Sequence, residues 1–491
     1  MVKSQLARKL LLLEINEIPW RLIDKFKNHQ LLPNIKTFFD NSKTYTTILL
    51  PISKKISELK TVKGLSKENK KILIDSEELS PWVTWPTFHR GISSSEHKIK
   101  FLGQDITTFK GKPIWQEFLD AGCNIGICGS LQSWPPVYPG KEGFYIPDTF
   151  AHDENCYPEY IKSLQRFNLD QVQRNGLVIR KEGLLSKELA KFLFSISKFG
   201  LTFKTLLKIV TQLINENFNK NYLVRRVGFQ SIILWDVFKS LYDIKSPPAI
   251  STFFTNHVAS IMHRYWHDVF PEDFNNLYKD KKRIHYRTML FALKIIDDII
   301  RDAMDFCKSN PDIAVVFATG MGQDAIQYTE YEGYSAEIEE VDKLFNVIEI
   351  NKNEYKMLIA MVPQVALEVP SETVRDKIKK SLSNCITVNL KPLFSVDEMG
   401  NTLSITIHNP TAADADAGVF LFTKSEKEKI DIKWDFAGIK IHKLEPTTGY
   451  HIPEGILAIY GDGIKSDSSR EKIELTKCKS LLMRLAFGDS I

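Results

Sequence analysis

Hydrophobic positions along this chain fall into short continuous runs separated by stretches of helical period. Leu10–Leu13 is an unbroken apolar run leading into Glu14, Asn16 and Glu17, the pattern of a parallel strand buried on both faces whose C-terminal end carries acids. Further runs at Cys123–Cys128, Ile250–Phe254, Ile313–Phe317 and Gly455–Gly461 predict four more buried strands, and Lys43–Leu50 reads as another strand or loop. Between them, residues 20–40, Trp115–Ala121, Tyr286–Cys307 and Ser480–Phe487 carry helical periodicity. Buried strands alternating with helices predict an α/β fold with a mostly parallel sheet covered by helices on both faces.

Two stretches fall outside this alternation. Residues 185–245 are apolar at helical spacing with many Lys and Arg between, and Pro247–Pro248 ends them. That pattern predicts a helical cap, packed on the core or presenting a basic amphipathic surface to a membrane or lipid-linked substrate. Residues 330–440 mix short strands and helices as an inserted α+β subdomain would. The expected division is therefore 1–180, first part of the core; 181–248, helical cap; 249–329, second part of the core; 330–440, insert; and 441–491, last part of the core.

With 491 residues, the chain is long enough for such additions. A formal charge of +5 gives no concentrated basic face, so no nucleic-acid polymer is expected as partner. The basic runs at Lys54–Lys71 and Lys279–Arg283 read as solvated loops and helix faces. Six scattered cysteines include no Cys-x-x-Cys pair, which argues against a thiolate zinc site and for reduced thiols. The run at Leu10–Leu13 is too short for a signal h-region, and no apolar stretch reaches transmembrane length. The expected location is cytoplasmic.

The chemistry-bearing stretch is Ser80–Gly91, SPWVTWPTFHRG, followed by His97-Lys98-Ile99. Pro86 fixes its own φ and biases Trp85 away from the helical region, so Thr84 or Thr87 is expected to stand at the end of a short strand. A hydroxyl so held serves as a nucleophile only if its pKa is lowered by its surroundings; the other reading is a structural turn. Histidines recur at the end of the Ile250–Phe254 run, as His257 and His263 beside Asn256, and again at His451 in the segment TGYHIPEGILAIYGDG. His, Asp and Glu at several strand ends are the raw material of a divalent-metal site.

The Thr84-Trp-Pro segment, Gly91 and His97-Lys98-Ile99 resemble the nucleophile region of type I phosphodiesterase/nucleotide pyrophosphatases, a branch of the alkaline phosphatase superfamily. The resemblance extends to WQEFLDAGCNIGIC (115–128), QSWPPVYP (132–139), GFYIPD (143–148) and the segment around His451. It implies that Thr84 is the nucleophile and that Glu14, His257, His263 and His451 hold divalent metal: one or two ions, zinc foremost, with Mn or Mg as alternatives. It also makes Arg90, Trp134 and Asn256 substrate-binding candidates.

The chain departs from the family at two places. The family's Asp before the helical His falls on Ala259. Its Ser-Asp-His-Gly-Met pattern falls on Ala318-Thr319-Gly320-Met321-Gly322, with Thr319 and Gly320 in place of the Asp and His, so Thr319, Gln323 and Asp324 become the candidate replacement ligands. Three functions stay open: a metal-dependent phosphodiesterase or pyrophosphatase-type hydrolase; a phospho- or related group transferase in surface-glycan or lipid-linked assembly; and a degenerate protein that binds an anion or a partner. The implied ligand is a phosphorylated small molecule or a lipid- or sugar-linked substrate.

Overall fold

The computed structural model describes residues 6–50, 77–174, 199–274, 283–325, 334–361, 363–425, 428–443 and 447–488. The Lys54–Lys71 run, most of Lys279–Arg283 and the first part of the 185–245 stretch lie outside them. An eight-stranded sheet organises the chain. Its order is Asp467–Glu474, Lys43–Ile48, Glu454–Tyr460, Ile313–Ala318, Lys9–Ile15, Ile250–Thr255, Ile125–Cys128, Phe144–Ile146. Lys9–Ile15 lies at the centre, parallel to both neighbours, with Glu14 opposite Phe254 on one side and Ala318 on the other. Only Glu454–Tyr460 runs against its neighbours. The fold is the expected one, an α/β protein built on a mostly parallel sheet with helices on both faces.

The two-residue period of a strand divides the core. Leu11, Leu13 and Ile15 face a cluster that includes Phe26, Phe38 and the long helix Tyr286–Ser309. Leu10 and Leu12 face the opposite cluster, which includes Trp85, Phe88, Ile114 and Leu482. Glu14 follows the even positions and therefore lies under the helix that carries Trp85.

That helix, Pro81–Arg90, replaces the expected Trp82–Trp85 strand. Pro81 sits in its first turn, where the missing N–H costs nothing and the fixed φ already suits a helix. Gly91 ends it in the left-handed conformation, φ 67°. Pro86 lies inside and leaves only the Trp82 carbonyl without its usual donor. Burial of Val83, Thr84, Trp85, Thr87 and Phe88 against the sheet overrides the local preference of Trp85 for extended backbone.

Residues 334–443 form three smaller sheets. Phe394–Met399, Thr402–Ile407, Gln364–Glu368 and Lys356–Leu358 make the largest, around an apolar core that includes Leu367, Leu382, Leu403 and Phe420. No helix among the described residues is long and apolar enough to cross a membrane.

One buried carboxylate joins two helices on the first face. The helix Pro33–Asp40 has no side-chain cap of its own, so its first N–H groups need outside acceptors. Asp297, fully buried on Tyr286–Ser309, supplies them: Oδ1 accepts from the backbone N–H groups of Asn34 at 2.8 Å and Ile35 at 2.9 Å. Its Oδ2 accepts from Asn34 Nδ2 and Lys294 Nζ, both at 2.8 Å. Asp297→Ala leaves those donors unpaired and is expected to cost about 2–3 kcal/mol of unfolding free energy, measured by urea denaturation.

Candidate functional site

The site is built where strands end. Lys9–Ile15 gives way to Asn16 and Glu17, and Glu17 turns the chain with φ 65° while its N–H donates to the Thr319 carbonyl at 3.0 Å. This turn carries the Glu17 carboxylate, 2% exposed, to the sheet's C-terminal edge. His263 arrives on the helix His257–Val269, and His451 on the short strand Gly449–Ile452. Their Nε2 atoms lie 3.2 Å and 3.3 Å from the same oxygen, Glu17 Oε2. One ligand atom from each of the three residues lies within 4.8 Å of the others.

Gly449–Ile452 pairs antiparallel with Gly322–Ala325, which sets His451 opposite Gln323. Gln323 Nε2 donates to Glu17 Oε2, and also to the Ala259 carbonyl at 3.2 Å. Asn16 Nδ2 donates to Glu17 Oε1 at 2.7 Å. Gly449 lets strand and helix approach: a Cβ there would stand 2.6 Å from the Met262 carbonyl oxygen. The Gly449 carbonyl accepts from His263 Nδ1 at 2.8 Å. Because a carbonyl only accepts, Nδ1 carries a proton, and Nε2 is the nitrogen left to face Glu17.

Burial alone would raise the Glu17 pKa, but the His451 and His263 imidazoles outweigh it and hold the carboxylate far below its usual range. The donor set fits a divalent cation. Tetrahedral bonds of about 2.0–2.1 Å require ligand atoms about 3.3 Å apart, and Glu17 Oε2 has two imidazole nitrogens at that spacing. One carboxylate and two imidazoles suit a borderline ion such as zinc.

The expected residues distribute as follows. His263 and His451 meet at the cluster; Glu14 does not join them. Glu14 Oε1 pairs with His89 Nε2 at 2.7 Å, both side chains buried beneath Trp85 and Trp115, and its Oε2 has no hydrogen-bond partner. His257 is satisfied elsewhere: Nδ1 meets Thr255 Oγ1 at 2.7 Å and Ser231 Oγ at 2.9 Å, while Nε2 donates to the Ala292 carbonyl at 3.1 Å. Six helical positions separate it from His263, a rotation of about 120° away from the site. Ala259, four positions before His263, is on the site's face, and its carbonyl shares Gln323 with the Glu17 carboxylate.

Thr84 is fully buried, and its hydroxyl has no hydrogen-bond partner. Its neighbour Trp85 donates from Nε1 to Asn16 Oδ1 at 2.8 Å, so Thr84's helix is fastened to the site's turn. Asn256 Oδ1 accepts from Asn16 Nδ2 at 2.7 Å. Thr319 Oγ1 accepts from the Ile456 N–H at 2.8 Å, a tie between strands. Gly320 has φ 68°, and a Cβ there would stand 3.2 Å from the Trp85 ring. Indole packing therefore takes the space a ligand side chain at 320 would need. Asp324 points to Arg21, at 2.8 Å, in a network with Asp273. Arg90, at the other end of its helix and about 9 Å along the axis from Thr84, donates to the carbonyls of Lys110 and Gly111. Trp134 stacks on His152 at 4.1 Å and donates to Asp153.

Of the two acids at this strand end, Glu17 rather than the expected Glu14 is the carboxylate at the cluster. The signal was available: strand alternation turns Glu14 into the sheet face, whereas a residue two places past the strand is free to turn across its edge. A second group, Glu337, Glu339 and His442, also has ligand atoms within 4.8 Å of one another, but Lys440 Nζ already lies 3.0 Å from Glu339 Oε1, and a cation there would have to displace it.

No family model matches the chain, and no curated protein does. Among solved structures, murine ectonucleotide pyrophosphatase / phosphodiesterase 5 aligns over 98% of this chain and 96% of that chain, with 11% identity and a TM-score of 0.39. The human protein of that name gives 11% identity, the same coverage and a TM-score of 0.39. An inactive form of the murine protein in complex with AMP gives 10%, the same coverage and 0.38. Likeness at this distance assigns no activity to the chain.

Burial pushes His257 down to about 4. A histidine held neutral in the folded state binds its proton more readily when unfolded, so its contribution is complete above about pH 6.5 and is lost as pH falls toward 4. Across that window wild type is expected to lose up to about 3 kcal/mol more stability than His257→Asn, read from urea melts at stepped pH.

Proposed function

We propose that this chain is a metal-dependent hydrolase of phosphoric esters, of the phosphodiesterase or pyrophosphatase type, working with one divalent ion held by Glu17, His263 and His451. The observation that carries this reading is the approach of two imidazole nitrogens to one buried carboxylate oxygen at tetrahedral-edge spacing. A bound ion would supply positive charge to the phosphoryl oxygens, which is the main requirement of phosphoryl transfer.

The chain's own residues prepare that task. Gln323 and Asn16 hold the Glu17 carboxylate in place, and the Gly449 carbonyl fixes the His263 tautomer. Thr84 is the proposed nucleophile. What supports it is the resemblance of its segment to the phosphodiesterase nucleophile region, together with an unpartnered hydroxyl on a helix fastened to Asn16.

A second reading, binding of a phosphorylated ligand without turnover, is favoured by the neutral groups at the turn to which Thr84's helix is fastened. Asn16 is occupied by Trp85, Glu17 and Asn256, Thr319 ties two strands, and Gly320 carries no ligand atom. A hydroxyl with no base or cation beside it is a weak nucleophile.

Protein purified without chelator is expected to carry one zinc per chain by elemental analysis, and Glu17→Ala and His451→Ala to lose it. With a bis-aryl phosphodiester, Thr84→Ala is expected to lower turnover roughly 10²–10³-fold, the scale of removing one catalytic group. Metal without turnover in wild type would select the binding reading. Turnover only on addition of an acceptor alcohol would select group transfer. Metal-free wild type after zinc dialysis would end the assignment.

A further inference from the structure

The helix Phe203–Phe218 carries apolar residues on both its inward and its outward side. At about 100° per residue, Phe203, Leu207, Val210, Ile214 and Phe218 fall in one arc about 80° wide. They are 77%, 49%, 54%, 51% and 88% exposed. The opposite arc holds Thr205, Ile209, Gln212 and Glu216, and these are the buried residues. An ordinary surface helix keeps its apolar residues inward; this one packs Leu206, Ile209 and Leu213 on the core, turns Gln212 and Glu216 inward as well, and still leaves a second apolar face outside. Gln212 Nε2 donates to the Tyr222 carbonyl at 2.7 Å, and Arg226 Nε donates to Glu216 Oε2 at 2.9 Å. The helix is thus anchored by apolar contacts and polar bonds together, with a separate apolar stripe about 22 Å long left facing out.

We infer that this stripe is a membrane-docking surface for an anionic lipid bilayer, on which the helix lies parallel to the plane with its five apolar side chains among the acyl chains. The charge around the stripe selects that occupant. Lys204 and Lys220 are exposed at its two ends, whereas the helix's single acid, Glu216, is buried and neutralised by Arg226. Apolar residues flanked by lysines match an interface whose headgroups are negative and whose interior is hydrocarbon. A second copy fits less well, because two such helices packed antiparallel would bring Lys204 of each against Lys220 of the other. The inference rests on this helix alone and is independent of the reaction at Glu17.

Flotation of the full chain with vesicles tests it. Wild type is expected to float with phosphatidylcholine vesicles containing phosphatidylglycerol, to float less as salt is raised, and to bind pure phosphatidylcholine weakly. Leu207→Ser/Ile214→Ser is expected to bind the anionic vesicles at least ~10-fold more weakly, and Lys204→Glu/Lys220→Glu to lose the preference for anionic lipid. The end variant Phe203→Ser/Phe218→Ser, at the two most exposed positions, gives the same reading should the central variant misfold by circular dichroism. Absence of flotation by wild type, or flotation of both serine variants equal to wild type, overturns the proposal. A concentration-dependent dimer that the serine variants abolish, without vesicle binding, overturns it in favour of a second copy.

Discussion

One buried negative charge organises the candidate site. Glu17 Oε2 faces two imidazoles and an amide, and Glu17 Oε1 takes the amide of Asn16. A carboxylate this deeply enclosed is tolerable only while positive or donor groups surround it. Those groups come from four separated places: the turn after the first strand, the helix after Ile250–Thr255, the Gly322–Ala325 strand and the Gly449–Ile452 strand. The charge therefore fixes the relative positions of elements that the sheet alone would leave adjustable. A divalent ion there would share that carboxylate with the two imidazoles.

Much of the architecture could be read from the chain because the central strands are buried on both faces and so appear as continuous apolar runs. Leu10–Leu13 falls one residue short of the observed strand at its start and two at its end, and Ile313–Phe317 falls one residue short at its end alone. His263 and His451 could be picked out because each stands beside an apolar strand-like run and fits a histidine position of the pattern the chain resembles. Glu17 was harder to read. Its role depends on a left-handed turn and on a cross-strand neighbour, Gln323, that is 306 positions distant in sequence. His257 shows the converse. It sits beside the right strand end, but Ser231, Thr255 and Ala292 already satisfy its ring, and two of those partners lie far along the chain.

The helix holding Thr84 was misread for a reason of scale. Local rules for Trp85-Pro86 favour extended backbone by an amount that is modest beside the burial of Val83, Trp85 and Phe88, each side chain worth about 1.5–3 kcal/mol. Trp85 then does more than pack: it donates to Asn16 and covers Gly320. One indole thus holds the Asn16 amide and accounts for the glycine at 320.

The strand order carries a consequence for synthesis on the ribosome. Lys43–Ile48 emerges early, yet its partners in the sheet are Glu454–Tyr460 and Asp467–Glu474, more than four hundred positions later. Until Glu454–Tyr460 has left the exit tunnel, Ile313–Ala318 presents an unpaired apolar edge and Lys43–Ile48 has nothing to join. A nascent chain halted short of that point would leave those edges unpaired and prone to associate.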